Sequence, residues 1–244
     1  MEDPVIRDDL ALPAGWKLFA FETVGSTNDE VMQRADRGAE EGAVVWAKRQ
    51  VSGRGRRGRI WQSPEGYLYS SILVRPESSA EVAAQLSFVT ALAVGDTVAA
   101  HIPPGHRIGF KWPNDVQVDG AKIAGILLES AVGANGLVSQ VVIGTGINVA
   151  WQPADTPYPA TSLATLGGEK SLEPVLQTYC HAMARWIARW RSEGFAAIRE
   201  AWLGQAGNIG QIIEVKTGRD VLTGRFARLD DTGALLLEDT GGRT

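Results

Sequence analysis

The sequence predicts an α+β fold in which helices pack on a mixed β-sheet and a small all-β domain follows. Strand-like and helix-like patterns do not alternate strictly along the chain, which argues against a doubly wound parallel sheet. After Ala206 the pattern changes to short apolar runs separated by glycine turns, which is typical of a small β-domain. The 244 residues, 44% of them hydrophobic, suffice for one good-sized core and a small second domain.

The elements follow in order from a loose lead-in at residues 1–15. A first strand is predicted at 17–21, and the helix after it begins at Thr27-Asn28-Asp29-Glu30, which matches a capping box, and ends at Gly38. Further strands are predicted at 43–48, 67–74, 107–112, 123–129 and 138–149, and further helices at 80–100, 172–191 and 195–203. The tail contributes short strands at 212–215, 221–229 and 235–237. Residues 16–205 and 206–244 are therefore the two predicted domains.

Composition argues against several classes of protein. The formal net charge of -4 argues against general binding to nucleic acids or membrane surfaces. Cys180 is the only cysteine, so no internal disulfide forms, and His101, His106 and His181 lack the spacing of metal ligands. The N-terminus has no signal pattern, and no run reaches the roughly 18 apolar residues of a membrane span. A cytoplasmic protein without a structural metal is expected.

The most informative stretch is Gly53-Arg54-Gly55-Arg56-Arg57-Gly58-Arg59, called the arginine loop below. Its glycines let the backbone fold tightly around a ligand. Its arginines provide forked donors for carboxylate and phosphate oxygens. Because the stretch follows a predicted buried strand and precedes the apolar Ile60 and Trp61, a loop that closes over a small anion is the favoured interpretation. A solvated basic loop is the alternative.

Three glycines of this loop also fit the dinucleotide-binding pattern G-x-G-x-x-G. That pattern requires a helix that opens at the third glycine with its N-terminus on the pyrophosphate. Here the third glycine leads into Arg59-Ile60-Trp61-Gln62-Ser63-Pro64, which does not begin a helix. The dinucleotide interpretation is therefore rejected.

Further candidate polar groups lie at predicted strand ends. The run Lys111-Trp112-Pro113-Asn114-Asp115 can present a lysine, an amide and a carboxylate together to a carboxylate ligand and a magnesium–phosphate group, although Pro-Asn-Asp is also ordinary turn chemistry. Lys122 begins a strand, where it is either a surface residue or a ligand contact. Gly125 within that strand indicates that another group approaches its backbone closely. Asn148 is either a turn residue or a reader of an adenine edge.

Together these motifs resemble those of biotin protein ligases. The matching residues are Ser26-Thr27-Asn28, Gln50, the arginine loop with Trp61, the run Lys111-Trp112-Pro113-Asn114-Asp115, Lys122 with 125–129, and 144–148. The resemblance covers residues 16–240, and the arginine loop and the Lys-Trp-Pro-Asn-Asp run are its most specific parts. Ser26 and Thr27 are helix caps first, but one helix terminus can also face a ligand.

The resemblance implies a catalytic domain akin to class II aminoacyl-tRNA synthetases and lipoate ligases, followed by an SH3-like β-barrel. It implies that biotin and MgATP give biotinyl-5′-AMP and pyrophosphate, and that the adenylate then acylates one lysine of the biotin carboxyl carrier domain of a carboxylase. The sequence has no motif that decides the oligomeric state, and a homodimer stays open.

Two departures from the family pattern bear on this expectation. Some bacterial members begin with a DNA-binding helix-turn-helix domain, whereas only residues 1–15 precede the first predicted strand here, so a monofunctional enzyme without nucleic-acid or membrane partners is expected. The family usually adds a last strand where this chain reads Gly241-Gly242-Arg243-Thr244. The small domain is therefore expected to be incomplete.

Physical reasoning and the resemblance together assign the roles. A carboxylate that attacks an α-phosphate needs converging cations to offset the repulsion between the two anions, and Arg54, Arg56 and Lys122 are the candidates. The expected catalytic residues are Lys122, Arg56, Lys111 and Asp115. By resemblance, the biotin contacts are Ser26, Thr27, Asn28, Gln50, Gly53, Arg54, Gly55, Arg56, Arg57, Lys122 and Gly125. The expected ATP or adenylate contacts are Arg54, Arg56, Arg59, Trp61, Asn114, Lys122 and Asn148, with Mg²⁺ near Asn114 and Asp115.

Other functions stay open at this point. A lipoate or octanoate ligase of the same fold would attach a different acid to a carrier lysine by similar chemistry, although the sequence has no histidine-bearing glycine motif of the lipoate type. A nucleic-acid-binding module that uses the arginine loop would need more widely spread basic charge and exposed aromatic residues. A non-catalytic biotin sensor would leave Lys111, Asp115 and Lys122 without a purpose.

Overall fold

A large mixed sheet forms the centre of the molecule. The structure is a computed structural model that describes residues 4–7, 9–217 and 220–239. The strands of this sheet are β1 (Val5–Ile6), β2 (Lys17–Val24), β3 (Ala43–Gln50), β4 (Tyr67–Val74), β5 (Ile108–Lys111), β6 (Asp115–Val118), β7 (Ala121–Val132) and β8 (Val138–Asn148). Their order in the sheet is β1-β2-β3-β4-β8-β7-β6-β5. β2 and β3 run parallel and the remaining neighbours are antiparallel, so the predicted mixed sheet is confirmed.

Helices cover both faces of this sheet. They are α1 (Thr27–Asp36), α2 (Ala80–Ala84), α3 (Leu86–Ala100) and α4 (Leu172–Leu203). Successive residues of a strand point to opposite faces. Val45 and Leu73 accordingly pack in the cluster under α1, whereas Val44 and Ile72 join the larger cluster formed with α3 and α4. The predicted α+β class therefore becomes a layered arrangement with the sheet in the middle.

The strands include two that the sequence did not indicate. The expected loose lead-in contains β1, in which Val5 pairs with Ala20 of β2. β6 begins at Asp115, the last residue of the Lys-Trp-Pro-Asn-Asp run, and pairs with β5 and β7. Val116 and Val118 of β6 alternate with less buried residues, but four residues after a proline turn are too few to stand out as a strand.

The helices depart from the expectations at their breaks and caps. The helix predicted at 80–100 is divided at Gln85 into α2 and α3. α4 is interrupted at Gly194, where φ is 75° and ψ is -176°, in agreement with the two helices predicted there. The capping box at Thr27 is wrong: Ser26 occupies the N-cap without a side-chain capping bond. The Thr27 hydroxyl instead binds the side chain of Gln50.

A three-stranded antiparallel sheet follows α4, with the strands β9 (Ile212–Lys216), β10 (Val221–Leu229) and β11 (Leu235–Glu238). Phe226 and Leu229 of β10 belong to the same hydrophobic cluster as α3 and α4. The Trp112 indole N–H also donates to the Gly233 carbonyl at 3.3 Å. These contacts bring β9 beside the segment that joins β5 to β6. The expected absence of a last strand concerns residues 241–244, which lie outside the described residues.

Among the residues that the structure describes, one stretch, Ala80–Ala100, is long and apolar enough to span a membrane by length and composition, with a mean hydropathy of 1.5. Glu81, Gln85 and Asp96 interrupt this stretch, so it is not the uninterrupted apolar run whose absence the sequence indicated. The stretch is 72% buried inside the fold and is divided at Gln85, as befits a core helix. Cys180 of α4 is also buried, which raises the pKa of its thiol to about 12 and keeps it protonated.

Candidate active site

A cavity of about 650 Å³ opens where the arginine loop, the ends of several strands and β9 meet. The arginine loop forms one side of the cavity. The start of α1 and strands β7 and β8 form its floor. The far side is formed by β9 and by the segment that follows β5. All predicted site residues line this cavity except Gly53 and Asn148. The fold therefore brings together motifs that are far apart in the sequence.

The two exceptions support the site from behind. A Cβ atom at Gly53 would collide with the Ser63 hydroxyl and would lie 2.6 Å from the Trp61 carbonyl, so only glycine fits at this position. Asn148 is buried, and its amide donates to the Thr161 carbonyl at 2.8 Å and to the Lys122 carbonyl at 3.4 Å. Asn148 was expected to contact adenine, but in the structure its amide N–H groups already donate to backbone carbonyls.

One end of the cavity carries neutral polar groups. Gln50 at the end of β3 accepts from the Thr27 backbone N–H at 2.9 Å and lies 3.1 Å from the Thr27 hydroxyl. The Gln50 amide donates to the Ser63 hydroxyl at 3.1 Å. Ser26 is buried beside them at the N-cap of α1. This end can match a neutral ligand that needs both donors and acceptors.

Arg54 does not present an uncompensated charge to the cavity. Its guanidinium forms bidentate hydrogen bonds with Asp29 at 2.5 and 2.9 Å, and with Glu129 at 2.9 and 3.1 Å. These bonds raise the pKa of Arg54 further above its usual range. Arg54 was expected to neutralise the negative charge of a ligand. This expectation is corrected, because Asp29 and Glu129 already neutralise the positive charge of Arg54.

Arg56 has the opposite environment. Burial lowers its pKa, and the neighbouring positive charge of Arg57 lowers it further, against an opposing effect of Asp115. Its guanidinium hydrogen-bonds to the neutral Asn114 side-chain oxygen at 3.3 Å. An anion bound beside Arg56 would relieve this unfavourable burial of charge.

Lys122, at the start of β7, lies at the centre of the site. Its ammonium is 2.6 Å from an Asp115 carboxylate oxygen and 5.2 Å from the ring centroids of both Trp61 and Tyr158. Its side chain is only 12% exposed. The two rings and the carboxylate hold a cation in a largely dry position, where its field acts with little screening.

Trp61 lies flat against two glycines of the sheet. A Cβ atom at Gly125 would be 2.9 Å from the Trp61 ring, and one at Gly146 would also be 2.9 Å from it. The prediction that another group approaches Gly125 closely is therefore confirmed, and that group is Trp61. The two glycines let an aromatic side chain wall the cavity from the sheet side.

Several lining residues were not predicted. They are chiefly Tyr69 of β4, Thr145 of β8, Tyr158 of the loop after β8, Phe226 of β10 and residues 213–217 of β9 and its end. The glycine run 144–148 indicated the segment around Thr145. The sequence has no comparable signal for Tyr158, which is placed by backbone bonds that pair its loop with Lys122.

Comparisons with known proteins agree with this geometry. Residues 20–148 match the model of the "Biotin/lipoate A/B protein ligase family". The biotin--[acetyl-CoA-carboxylase] ligase of Paracoccus denitrificans is 41% identical over 89% of this chain and 92% of its own length. The bifunctional ligase/repressor BirA of Bacillus subtilis is 33% identical over 93% of this chain and 71% of its own length.

Among solved structures, the biotin protein ligase from Aquifex aeolicus in complex with biotin and ATP superimposes with a TM-score of 0.77. It is 26% identical, and the match covers 92% of this chain and 93% of that one. The match of fold therefore extends over most of both chains. The chain therefore belongs to the biotin/lipoate A/B protein ligase family, among its biotin protein ligases.

Proposed function

We propose that this protein activates biotin with ATP to biotinyl-5′-AMP and transfers the biotin to a lysine of a biotin carboxyl carrier domain. The observation that carries this proposal is the single cavity in which a neutral polar end, the arginine loop and the Lys122–Asp115 pair meet. A ligand that is neutral at its head and anionic where it reacts matches that gradient. Membership of the family and the likeness to ligases of biotin support the same substrates.

In the first half-reaction a biotin carboxylate oxygen attacks the α-phosphorus of ATP, a P–O bond forms and pyrophosphate leaves. Arg56 and Lys122 offset the repulsion between the two anions, since both are cations held in a partly dry cavity. Asp115 holds the Lys122 ammonium in position through their ion pair at 2.6 Å. The Ser26, Thr27 and Gln50 groups hold the ureido ring, and Trp61 covers the nucleotide.

Magnesium enters this proposal with the nucleotide. Asn114 and Asp115 supply amide and carboxylate oxygens, which are the ligand types that Mg²⁺ prefers. Within the described residues no group of three or more His, Cys, Asp or Glu side chains is arranged to hold a metal by itself. Mg²⁺ would therefore be held mainly by the phosphates and would neutralise their charge.

In the second half-reaction the neutral amine of the carrier lysine attacks the acyl carbon of the adenylate. A C–N bond forms, the C–O bond to phosphate breaks, AMP leaves and the nitrogen releases one proton. Residues of the arginine loop cover the reactive mixed anhydride in the meantime, and this protects it from water.

The finer assignments of fold, partner and location also belong to the proposal. We propose that residues 16–205 form the catalytic domain, of the class II aminoacyl-tRNA synthetase type, and that 206–244 form an SH3-like domain that contributes β9 to the cavity. Nucleic acid is not a partner, because the arginines of the loop line the cavity and the net charge is -4. We also propose a cytoplasmic location and a homodimer. Light scattering of the pure protein tests whether it is a dimer.

The direct test mixes the protein with biotin, MgATP and a purified carrier domain and records the intact mass of the carrier. The expected product has gained one biotin with loss of one water, and only when ATP is present. Parallel reactions with lipoate and octanoate test the related activity of the wider family. Modification by either acid in preference to biotin would overturn the proposal.

A further inference from the structure

The two carboxylates that bind Arg54 have no role in the reaction described above. Asp29 lies in the first turn of α1, and Glu129 lies in β7, so the guanidinium joins two separate elements to the start of the arginine loop. Each carboxylate accepts two hydrogen bonds from Arg54. Such bidentate pairs fix direction as well as distance.

The same bonds continue to the neutral end of the cavity. The Asn28 amide donates to Glu129 at 2.6 Å, and the Asn28 side-chain oxygen lies 2.6 Å from the Ser71 hydroxyl. That hydroxyl is also 2.7 Å from the hydroxyl of Thr27, so it donates to one of the two at a time. The Asn28 side-chain oxygen also packs against Gly144, in the space that a Cβ atom at Gly144 would need.

Arg54 and Arg56 have different surroundings, which indicates different roles for the two side chains. A further anion gains little from Arg54, since two carboxylates already surround it. Arg56, two residues on, hydrogen-bonds to a neutral amide and extends into the cavity. The position of Arg56 depends on the backbone of the loop, and that backbone is attached to the sheet through Arg54.

We infer that Asp29 and Glu129 are positioning residues of the ligase reaction, which pin Arg54 to α1 and β7 and thereby place Arg56 against the acyl phosphate. This inference rests on the proposed function. It assigns Arg54 to the support of the loop rather than to contact with substrate.

The first test uses Glu129→Gln and Asp29→Asn, which keep the shape of each side chain and remove its charge. We expect the KM for biotin to rise about 3- to 10-fold and the rate of pyrophosphate release at saturation to change by less than about 2-fold. The fraction of adenylate released into solution, rather than transferred to the carrier, should rise. A general folding defect would lower pyrophosphate release and transfer together and leave that fraction unchanged.

Glu193→Gln is the matched control, because Glu193 pairs with Arg189 on the exposed face of α4, away from the cavity. It should match the wild type in each measurement. If the wild type itself transfers no biotin, the proposed function fails and the inference fails with it. If the wild type and Glu193→Gln transfer biotin and both site variants match them, only the inference is overturned.

A double-mutant cycle distinguishes a positioning role of Arg54 from direct contact between Arg54 and the substrate. Arg54→Gln is measured alone and in the background of Glu129→Gln with Asp29→Asn. If Arg54 acts through these carboxylates, its substitution in that background changes the KM for biotin by less than about 2-fold, because residues that act as one unit are not additive. A full additional loss in that background would show direct substrate contact and overturn the inference.

Discussion

Arg56 and Arg54 are two residues apart and differ in what surrounds their charge. Arg54 is neutralised by two carboxylates, whereas the pKa of Arg56 is lowered by burial and by Arg57. Sequence reasoning treated them alike, because alternation of glycine and arginine does not reveal which guanidinium meets a carboxylate from a distant element. Asp29 and Glu129 are 25 and 75 residues away from Arg54 along the chain.

Arg56→Gly should weaken retention of the adenylate more than its formation. The reason is that Arg56 offsets the acyl phosphate charge throughout the lifetime of the intermediate, while Lys122 remains to assist the attack. We expect about 10-fold more free biotinyl-5′-AMP and labelling of lysines on a bystander protein, for the loss of one charge-assisted contact. Mass spectrometry of added albumin measures this labelling. Arg7→Gly, in the lead-in, is the control, and equal labelling by both variants would contradict the assignment.

Lys122→Ala should remove adenylate formation. Lys122 is a largely buried cation beside Asp115, and its loss leaves that carboxylate to repel the incoming anions. We expect biotin-dependent pyrophosphate release to fall at least about 100-fold, as for other preorganised electrostatic groups. Lys48→Ala is the control, since Lys48 also pairs with a carboxylate, Glu22, but on the surface. Release at the wild-type rate in Lys122→Ala would remove this lysine from the site.

At the level of elements, most of the fold and of the site could be predicted. β4 and β10 have the predicted bounds, because residues typical of turns lie on either side of each strand. β1 was missed since two residues carry no periodic pattern, and β9 was not expected in the cavity because its approach depends on how Phe226 packs in the core. Gly125 was informative because a glycine inside a strand has few structural reasons to be there.

The arginine loop is the element for which motion is predicted. Ordering its backbone costs about 1–2 kcal/mol per residue, and clustered positive charges oppose closure without an anion. In this structure, the Arg57 guanidinium donates to the Lys216 carbonyl at the end of β9 at 2.6 Å. We therefore expect hydrogen exchange across residues 53–59 to slow when biotin and MgATP are added together, most strongly at 55–59. Equal protection with and without ligands would exclude a lid, and the buried strand β4 is the internal reference.

At the scale of the whole molecule, the β-domain after α4 shares its core with the rest of the chain. Phe226 and Leu229 join the cluster around α3 and α4, and Arg199 of α4 pairs with Asp231. The change of sequence pattern predicts a domain boundary near Ala206, but it could not show whether the two parts have separate cores. Packing between distant segments is decided by side-chain shape, which local patterns do not encode.

A second long-range contact, at Glu41, leads to a prediction about stability and pH. The Glu41 carboxylate before β3 accepts two hydrogen bonds from Arg191 of α4, both 2.7 Å long, and one from the backbone N–H of Arg75 at 2.7 Å. Burial raises the pKa of Glu41, but the bonds from Arg191 and Arg75 outweigh burial and lower the pKa below its usual 4.5. The turn before β3, the end of β4 and α4 are thereby tied together.

Glu41→Gln should therefore destabilise the protein near neutral pH by about 1 kcal/mol, since the pair is partly exposed. A lowered folded-state pKa contributes stability that is present above pH 4.5, where the carboxylate is ionised in both states. This contribution is lost as the pH falls through the folded-state value, so the wild type and the variant should converge in acid. Urea unfolding at a series of pH values measures the difference, with Glu193→Gln as the control for an exposed pair. A difference that persists unchanged at low pH would show that the carboxylate charge is not its source.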